Sequence, residues 1–170
     1  MRIAILGYSG SGKSTLARML GERYGLPVLH LDAVQFTANW QIRDRDEAAE
    51  TVRSFLECNQ GGWVIDGTYS KFSLEERLAT ADRIVLMLLP RVSCYLRCRR
   101  RAKEYRGRSR SDMAEGCNEK FDRAFRRWIL WTGRSGKRSA LMHRVAKQYR
   151  SKVVILRSQR AIDRYLRELS

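Results

Sequence analysis

Gly7-Tyr8-Ser9-Gly10-Ser11-Gly12-Lys13-Ser14 (GYSGSGKS) follows the spacing G-x-x-x-x-G-K-[ST], and its setting between a short apolar run and a helical one decides the fold. Glycines in such a stretch let the backbone curl so that successive N–H groups converge on phosphate oxygens. The following helix presents its positive N-terminal end to the same anion. Gly7, Ser9, Gly10, Ser11, Gly12, Lys13, Ser14 and Thr15 are therefore the candidate nucleotide-binding residues. Lys13 has the reach for the β- and γ-phosphates, and the Ser14 hydroxyl is placed to ligate a Mg²⁺ bridging the same oxygens.

The flanks agree with this reading. Arg2–Leu6 (RIAIL) is an apolar, β-branched run of strand length. Ser14–Tyr24 carries Leu16, Met19 and Leu20 at helical spacing with charges between them. A phosphate loop needs such a strand before it and such a helix after it.

With 170 residues, the chain is long enough for one well-buried core, and a second is not expected. It has no apolar run of about 18 residues and enters its first strand without a charged leader, so we expect a soluble, cytoplasmic protein. Cys58, Cys94, Cys98 and Cys117 form no C-x-x-C pair, and with only His30 and His143 beside them no zinc spacing is present. Reduced thiols, packed rather than reactive, are the expectation.

Charge is unevenly spread. The formal net is +16, and the span 91–150 holds 19 basic and 5 acidic residues, or +14 of that total. The remainder looks like an ordinary enzyme scaffold, and the basic span like a surface for a strongly anionic partner.

Further along, Val28–Leu31 reads as a second strand ending at Asp32. Strand ends line the ligand crevice of open α/β sheets, where Asp32 can accept a proton from a substrate hydroxyl or hold Mg²⁺ through water. A helix cap is the plainer alternative. Phe36–Arg45 has no clear period, and its Trp40, Arg43 and Arg45 offer a wall and an anionic clamp for an acceptor, or a surface packing pair. A helix follows from Asp44 or Asp46. Trp63–Ile65 is a third strand running into Asp66-Gly67; Asp66 suits a water-mediated Mg²⁺ contact, and Gly67 allows close approach of substrate. Arg77 lies on a short helix before Arg83–Leu89, a strand apolar enough to be buried on both faces.

Arg97 and Arg101 are four apart on the next helix, so that two guanidinium groups can meet one nucleotide. Tyr105–Gly116 has little to bury and reads as a flap whose arginines, Arg108 and Arg110 among them, clamp a transferred phosphoryl group. A solvated basic loop is the alternative. The aromatics Phe121, Phe125, Trp128 and Trp131 recur at helical spacing and read as core. Lys152–Leu156 is a fifth strand and Ala161–Leu169 a closing helix.

Strands alternating with helices predict an α/β fold, a parallel sheet with helices on both faces. The chain resembles the P-loop NTPases related to adenylate and shikimate kinases over nearly its whole length. It is similar in finer signatures to the bacterial DNA topology modulation protein family: Leu31, Asp32 and Trp40; Trp63 to Tyr69; Arg77 to Asp82; Leu89 to Arg101; Arg110 to Lys120. The resemblance implies a three-layer αβα fold, a five-stranded sheet ordered 2-3-1-4-5, an acceptor segment at about 32–60 and an Arg-rich lid at about 105–119 in one domain, 1–170. It also implies ATP and Mg²⁺ as cofactors, with Gly7, Gly12, Lys13 and Ser14 on the phosphates and Mg²⁺, Asp66 near the metal, and Arg97, Arg101, Arg108 and Arg110 toward the nucleotide. Adenylate kinases follow the Asp-Gly with Phe-Pro-Arg, and Thr68-Tyr69-Ser70 stands here instead. The arginine that grips a nucleoside monophosphate is missing there, and Arg77 replaces it only if its helix points inward, which argues against AMP.

Two functions are consistent with these residues. The first is an ATP-dependent kinase acting on a small molecule or nucleotide, with Lys13, Asp32, Arg108 and Arg110 catalytic and Asp32, Trp40, Arg43, Arg45, Asp66, Gly67 and Arg77 around the acceptor. The second is a nucleic-acid-associated ATPase or regulator using the basic span. An RNA end as acceptor would reconcile the two.

Overall fold

Arg2–Gly7 (β1) is the central strand of a five-stranded parallel sheet in the computed structural model, which describes residues 1–108, 110 and 112–169. The other strands are β2 (Val28–His30), β3 (Phe36–Thr37), β4 (Gln41–Ile42), β5 (Trp63–Asp66), β6 (Arg83–Met87) and β7 (Val153–Leu156). The helices are α1 (Lys13–Tyr24), α2 (Leu31–Gln35), α3 (Arg45–Cys58), α4 (Leu74–Thr80), α5 (Arg91–Glu104), α6 (Arg123–Leu130), α7 (Gly136–Gln148) and α8 (Gln159–Glu168).

The sheet order is β2-β5-β1-β6-β7, which differs from the expected 2-3-1-4-5 because β3 and β4 intervene in the chain. Those two strands form their own antiparallel hairpin, Phe36 opposite Ile42 and Thr37 opposite Gln41, closed by a 3-10 turn at Ala38–Trp40. The segment 36–45 shows no period because its order comes from this two-residue pairing, too short to leave one.

Burial on both faces follows from the alternation of side chains along each strand. Ala4, Leu6, Ile65, Ile84 and Leu86 pack beneath α2, α3, α4 and α7, with Val34, Val52, Leu78 and Met142. Ile3, Ile5, Val64, Val85 and Met87 face the opposite way, onto Leu16 and Leu20 of α1, Cys94 and Cys98 of α5, and Ile162 and Tyr165 of α8. Each fully buried aliphatic side chain contributes about 1.5–3 kcal/mol. α3 starts where Asp44 accepts hydrogen bonds from the Asp46 and Glu47 amides, which satisfies donors the helix itself leaves open.

The segment 105–119, expected as a lid, forms turns with no helix among its described residues; Ser109 and Ser111 lie outside them. Its end is tied to the hairpin: Trp40 Nε1 donates to the Asn118 carbonyl at 2.8 Å and the Cys117 thiol to the Thr37 carbonyl at 3.0 Å. Among the described residues, no helix is long and apolar enough to cross a membrane.

Candidate nucleotide site

Sheet register brings the chemistry together. His30 at the end of β2 stands opposite Asp66 at the end of β5, and Asp66 opposite Ile5, two residues before Gly7. From Gly7 the chain folds back on itself, with the Ser11 amide donating to the Tyr8 carbonyl at 3.2 Å, and enters α1 at Lys13. The loop lies directly on α5. A Cβ at Gly10, whose φ is 77°, would sit 2.5 Å from Cys98 Sγ and 2.6 Å from the Cys94 carbonyl oxygen, so only glycine fits.

A cavity of about 790 Å³ runs from this loop to the hairpin. Gly7, Ser9, Gly10, Gly12, Lys13, Ser14 and Thr15 form its phosphate end, while Ser11 is fully buried behind them. Lys13 Nζ is turned onto the Tyr8 carbonyl at 3.1 Å. Ser14 Oγ donates to Asp66 Oδ2 at 2.8 Å, and Asp66 Oδ1 lies 2.6 Å from His30 Nδ1. Burial pulls the His30 pKa down, but the hydrogen bond and charge of Asp66 outweigh it and hold the imidazole above its ordinary value. Nothing local in the sequence marks His30 as part of this chain of contacts, since its partner lies 36 residues away.

Asp32 sits in the first turn of α2, not at the end of β2 as expected, because Leu31 already turns into the helix. It does not cap that helix. Its Oδ1 accepts a 2.6 Å hydrogen bond from the Tyr69 hydroxyl, and its carboxylate faces the cavity. Burial first, and then the Asp32 charge, raise the Tyr69 pKa, so the phenol keeps its proton and remains a donor. Gly67 also lines the cavity, yet its need for glycine comes from Leu31, whose Cβ would lie 2.7 Å from an added methyl; packing of α2 on the loop sets that position.

Several expected acceptor residues are elsewhere. Arg77 is fully buried and does not line the cavity: Nε donates to the Phe72 carbonyl at 2.7 Å and Nη2 to the Tyr69 carbonyl at 2.9 Å. Its helix points inward, but to brace the loop that carries Tyr69. Arg43 donates from Nε to the Val34 carbonyl at 2.9 Å and pairs with Glu47, and Arg45 is exposed at the start of α3; neither lines the cavity. Trp40 does, packed edge-on to Phe36 at 5.3 Å.

On the other side, Arg97 and Arg101 of α5 both line the cavity. Arg97 Nη1 donates to the Ser11 carbonyl at 2.8 Å, fixing the phosphate loop to α5, and its Nη2 bonds Gln159. Arg101 donates twice to Glu119 Oε1, at 2.9 and 2.7 Å. Arg110, also at the cavity, pairs with Asp112 at 2.8 Å and with Glu119 Oε2 at 2.9 Å. Glu119 thus holds two guanidinium groups with a side chain only 2% exposed. Arg108 is exposed and does not line the cavity.

The aromatic series expected in the core divides. Ile129 is buried, Phe125 and Trp128 line the cavity, and Trp131 is 59% exposed. Trp128 Nε1 donates to Ser9 Oγ at 3.1 Å, and the Arg138 guanidinium stacks 4.4 Å from its ring and lines the cavity too. Helical periodicity places these rings on one stripe, but a period does not say whether the stripe meets a core or a cavity.

Residues 3–118 match the family described as AAA domain. A crystal structure of an uncharacterized protein from Eubacterium ventriosum ATCC 27560 is similar over 99% of this chain and 97% of that one, with a TM-score of 0.50 and 18% identity. That likeness speaks of the fold. No curated protein matches the sequence.

Proposed function

Because the chain belongs to the AAA-domain family through residues 3–118, we propose that it binds Mg·ATP and transfers the γ-phosphoryl group to a small-molecule or nucleotide acceptor. The observation that carries this reading is one continuous cavity lined both by a phosphate loop and by a carboxylate, Asp32, that the Tyr69 hydroxyl holds in place. A carboxylate so placed can accept the proton of an acceptor hydroxyl. The short signatures between residues 31 and 120 support a place, within this family, beside the bacterial DNA topology modulation proteins. Free thiols at Cys58, Cys94, Cys98 and Cys117 suit a cytoplasmic setting.

The residues present fit a polyphosphate with its metal. The loop is held against α5 so closely that Gly10 tolerates no side chain, and Gly7, Gly10 and Gly12 line the cavity with no side chain to crowd a phosphate. Ser14 and Asp66 are the oxygen donors that would hold Mg²⁺ beside the phosphates of a bound nucleotide. The metal supplies charge neutralisation on the phosphates.

Lys13 leaves the Tyr8 carbonyl for the β- and γ-phosphate oxygens, exchanging a neutral acceptor for a charged one. Arg101 and Arg110 border the same space and stabilise negative charge on the passing group. Asp32 accepts the proton of the acceptor hydroxyl as that oxygen bonds phosphorus and the bond to the leaving nucleoside diphosphate breaks; Tyr69 fixes the carboxylate rotamer. Trp128 and Arg138 shield the reacting end from water.

A thermal-shift titration tests the binding half. A ligand at about 100 times its Kd adds about 2.7 kcal/mol of apparent stability. Mg·ATP is expected to raise Tm and a candidate acceptor to raise it further with a non-hydrolysable ATP analogue; no shift with Mg·ATP at millimolar concentration would refute the reading.

A further inference from the structure

α6 presents a second face that the nucleotide site does not use. Phe125 and Trp128 point to the cavity. Around the helix, Arg123, Arg126, Arg127, Leu130 and Trp131 join Tyr95 of α5 to line a separate open groove of about 440 Å³. None of these lining residues is acidic, and Arg123 and Arg127 are exposed, with no hydrogen bond or ion pair from their side chains among the described residues. Trp131 leaves 59% of its surface to solvent at the end of that groove. The groove lies within the span that carries +14 of the chain's +16.

We propose that this α5–α6 groove binds single-stranded nucleic acid, with Trp131 stacking on a base and Arg123 and Arg127 on the flanking phosphates. The pattern of aromatic rings between guanidinium groups matches the alternation of base and phosphate along a strand, and each stacked base is sequence-tolerant because every base has a π-face. From Arg123 to Trp131 the chain advances eight residues, roughly 12 Å of helix, enough for three or four stacked nucleotides at about 3.4 Å each. A duplex hides its base faces and gives Trp131 nothing to stack on. The positive charge favours the strand over a neutral or basic partner, and counterion release supplies the affinity. The site is independent of the phosphotransfer reading, since the groove and the cavity occupy different faces of α6.

Anisotropy of a short labelled oligothymidylate, titrated over a salt series, tests it on the full chain. Trp131→Ala is expected to weaken binding about tenfold and Trp131→Phe to retain most of it. Arg123→Gln/Arg127→Gln should flatten the slope of log K against log salt by about 1.4, about 0.7 for each of the two phosphates no longer neutralised. Arg160→Gln/Arg164→Gln, removing the same charge from exposed positions of α8, should leave that slope unchanged. The proposal is overturned by unaltered binding of Trp131→Ala, by an equal flattening in the α8 pair, or by displacement of the oligonucleotide with saturating Mg·ATP. It is overturned equally if phosphatidylserine vesicles bind with the Trp131 dependence while the oligonucleotide does not.

Discussion

Replacing Arg77 separates a structural brace from a substrate contact. Its guanidinium is fully buried, bonds the Phe72 and Tyr69 carbonyls, and leaves Nη1 without a partner among the described residues. Burial pushes its pKa down to about 10, a penalty on the charged form of about 3 kcal/mol from the usual 12.5. Two hydrogen bonds from a charged donor return about 3–6 kcal/mol, so the native arrangement is close to balanced. Truncation is not balanced. Arg77→Ala leaves the buried Phe72 carbonyl unpaired and the Tyr69 carbonyl with only the Phe72 amide at 3.5 Å, at about 1–3 kcal/mol for the lost pairing, and adds a void, so the expected loss is about 3–5 kcal/mol. For a chain of this size that lowers Tm by roughly 6–20 °C. Arg77→Lys, which can reach only one of the two carbonyls, should lose about half as much. Urea unfolding monitored by circular dichroism gives both numbers from the shift in midpoint at unchanged slope. An Arg77→Ala protein within about 1 kcal/mol of the parent, but with an acceptor KM raised tenfold or more, would refute the brace and restore Arg77 to the acceptor site.

Three other perturbations follow from the site. Gly10→Ala, whose Cβ would meet Cys98 Sγ at 2.5 Å and the Cys94 carbonyl at 2.6 Å, should reduce Mg·ATP affinity at least about tenfold by calorimetry; because the carbonyl remains, adding Cys98→Ala should not restore it, and full recovery would contradict the geometry. Glu119→Gln leaves Arg101 and Arg110 without their shared carboxylate, costing about 2 kcal/mol, less than for a fully buried pair because Arg101 is 26% exposed; Mg·ATP should then stabilise the variant more than the parent, and an equal stabilisation would count against phosphates taking the place of Glu119. His30 has a raised pKa, so its pairing with Asp66 contributes fully below pH 6.5 and is lost as pH rises through the higher folded value. In EDTA, His30→Asn should therefore destabilise more at about pH 5.5 than at about pH 8.5, and equal losses would exclude the charged pair.

The phosphate loop, its strand and its helix were legible because they are contiguous: Gly7–Ser14 states its ligand within eight residues. The end of β5 was legible too, where Asp66 stands beside Ser14 next to β1, whereas the end of β2 was misplaced because Leu31 and Asp32 already belong to α2. What the sequence could not show were pairs joined only by tertiary folding. Tyr69 meets Asp32 across 37 residues and Trp128 meets Ser9 across 119. Arg77 failed as an acceptor residue for a related reason: charge suggested function, and nothing local revealed that the Phe72 and Tyr69 carbonyls in the turn before α4 draw its guanidinium inward. Among the arginines of the basic span, residue type alone did not distinguish Arg110, tied to two carboxylates at the cavity, from Arg108, exposed two residues earlier.

Following γ-³²P from Mg·ATP into acceptor in single-turnover reactions with the parent, Lys13→Ala and Asp32→Asn proteins tests whether Lys13 and the loop around it bind ATP for transfer to an acceptor at Asp32. Expected are labelled acceptor with the parent, at least a hundredfold slower transfer with Lys13→Ala, a loss of about 2.7 kcal/mol in transition-state stabilisation, and binding without efficient transfer with Asp32→Asn. Transfer by Lys13→Ala at the parent's rate would contradict that role for Lys13.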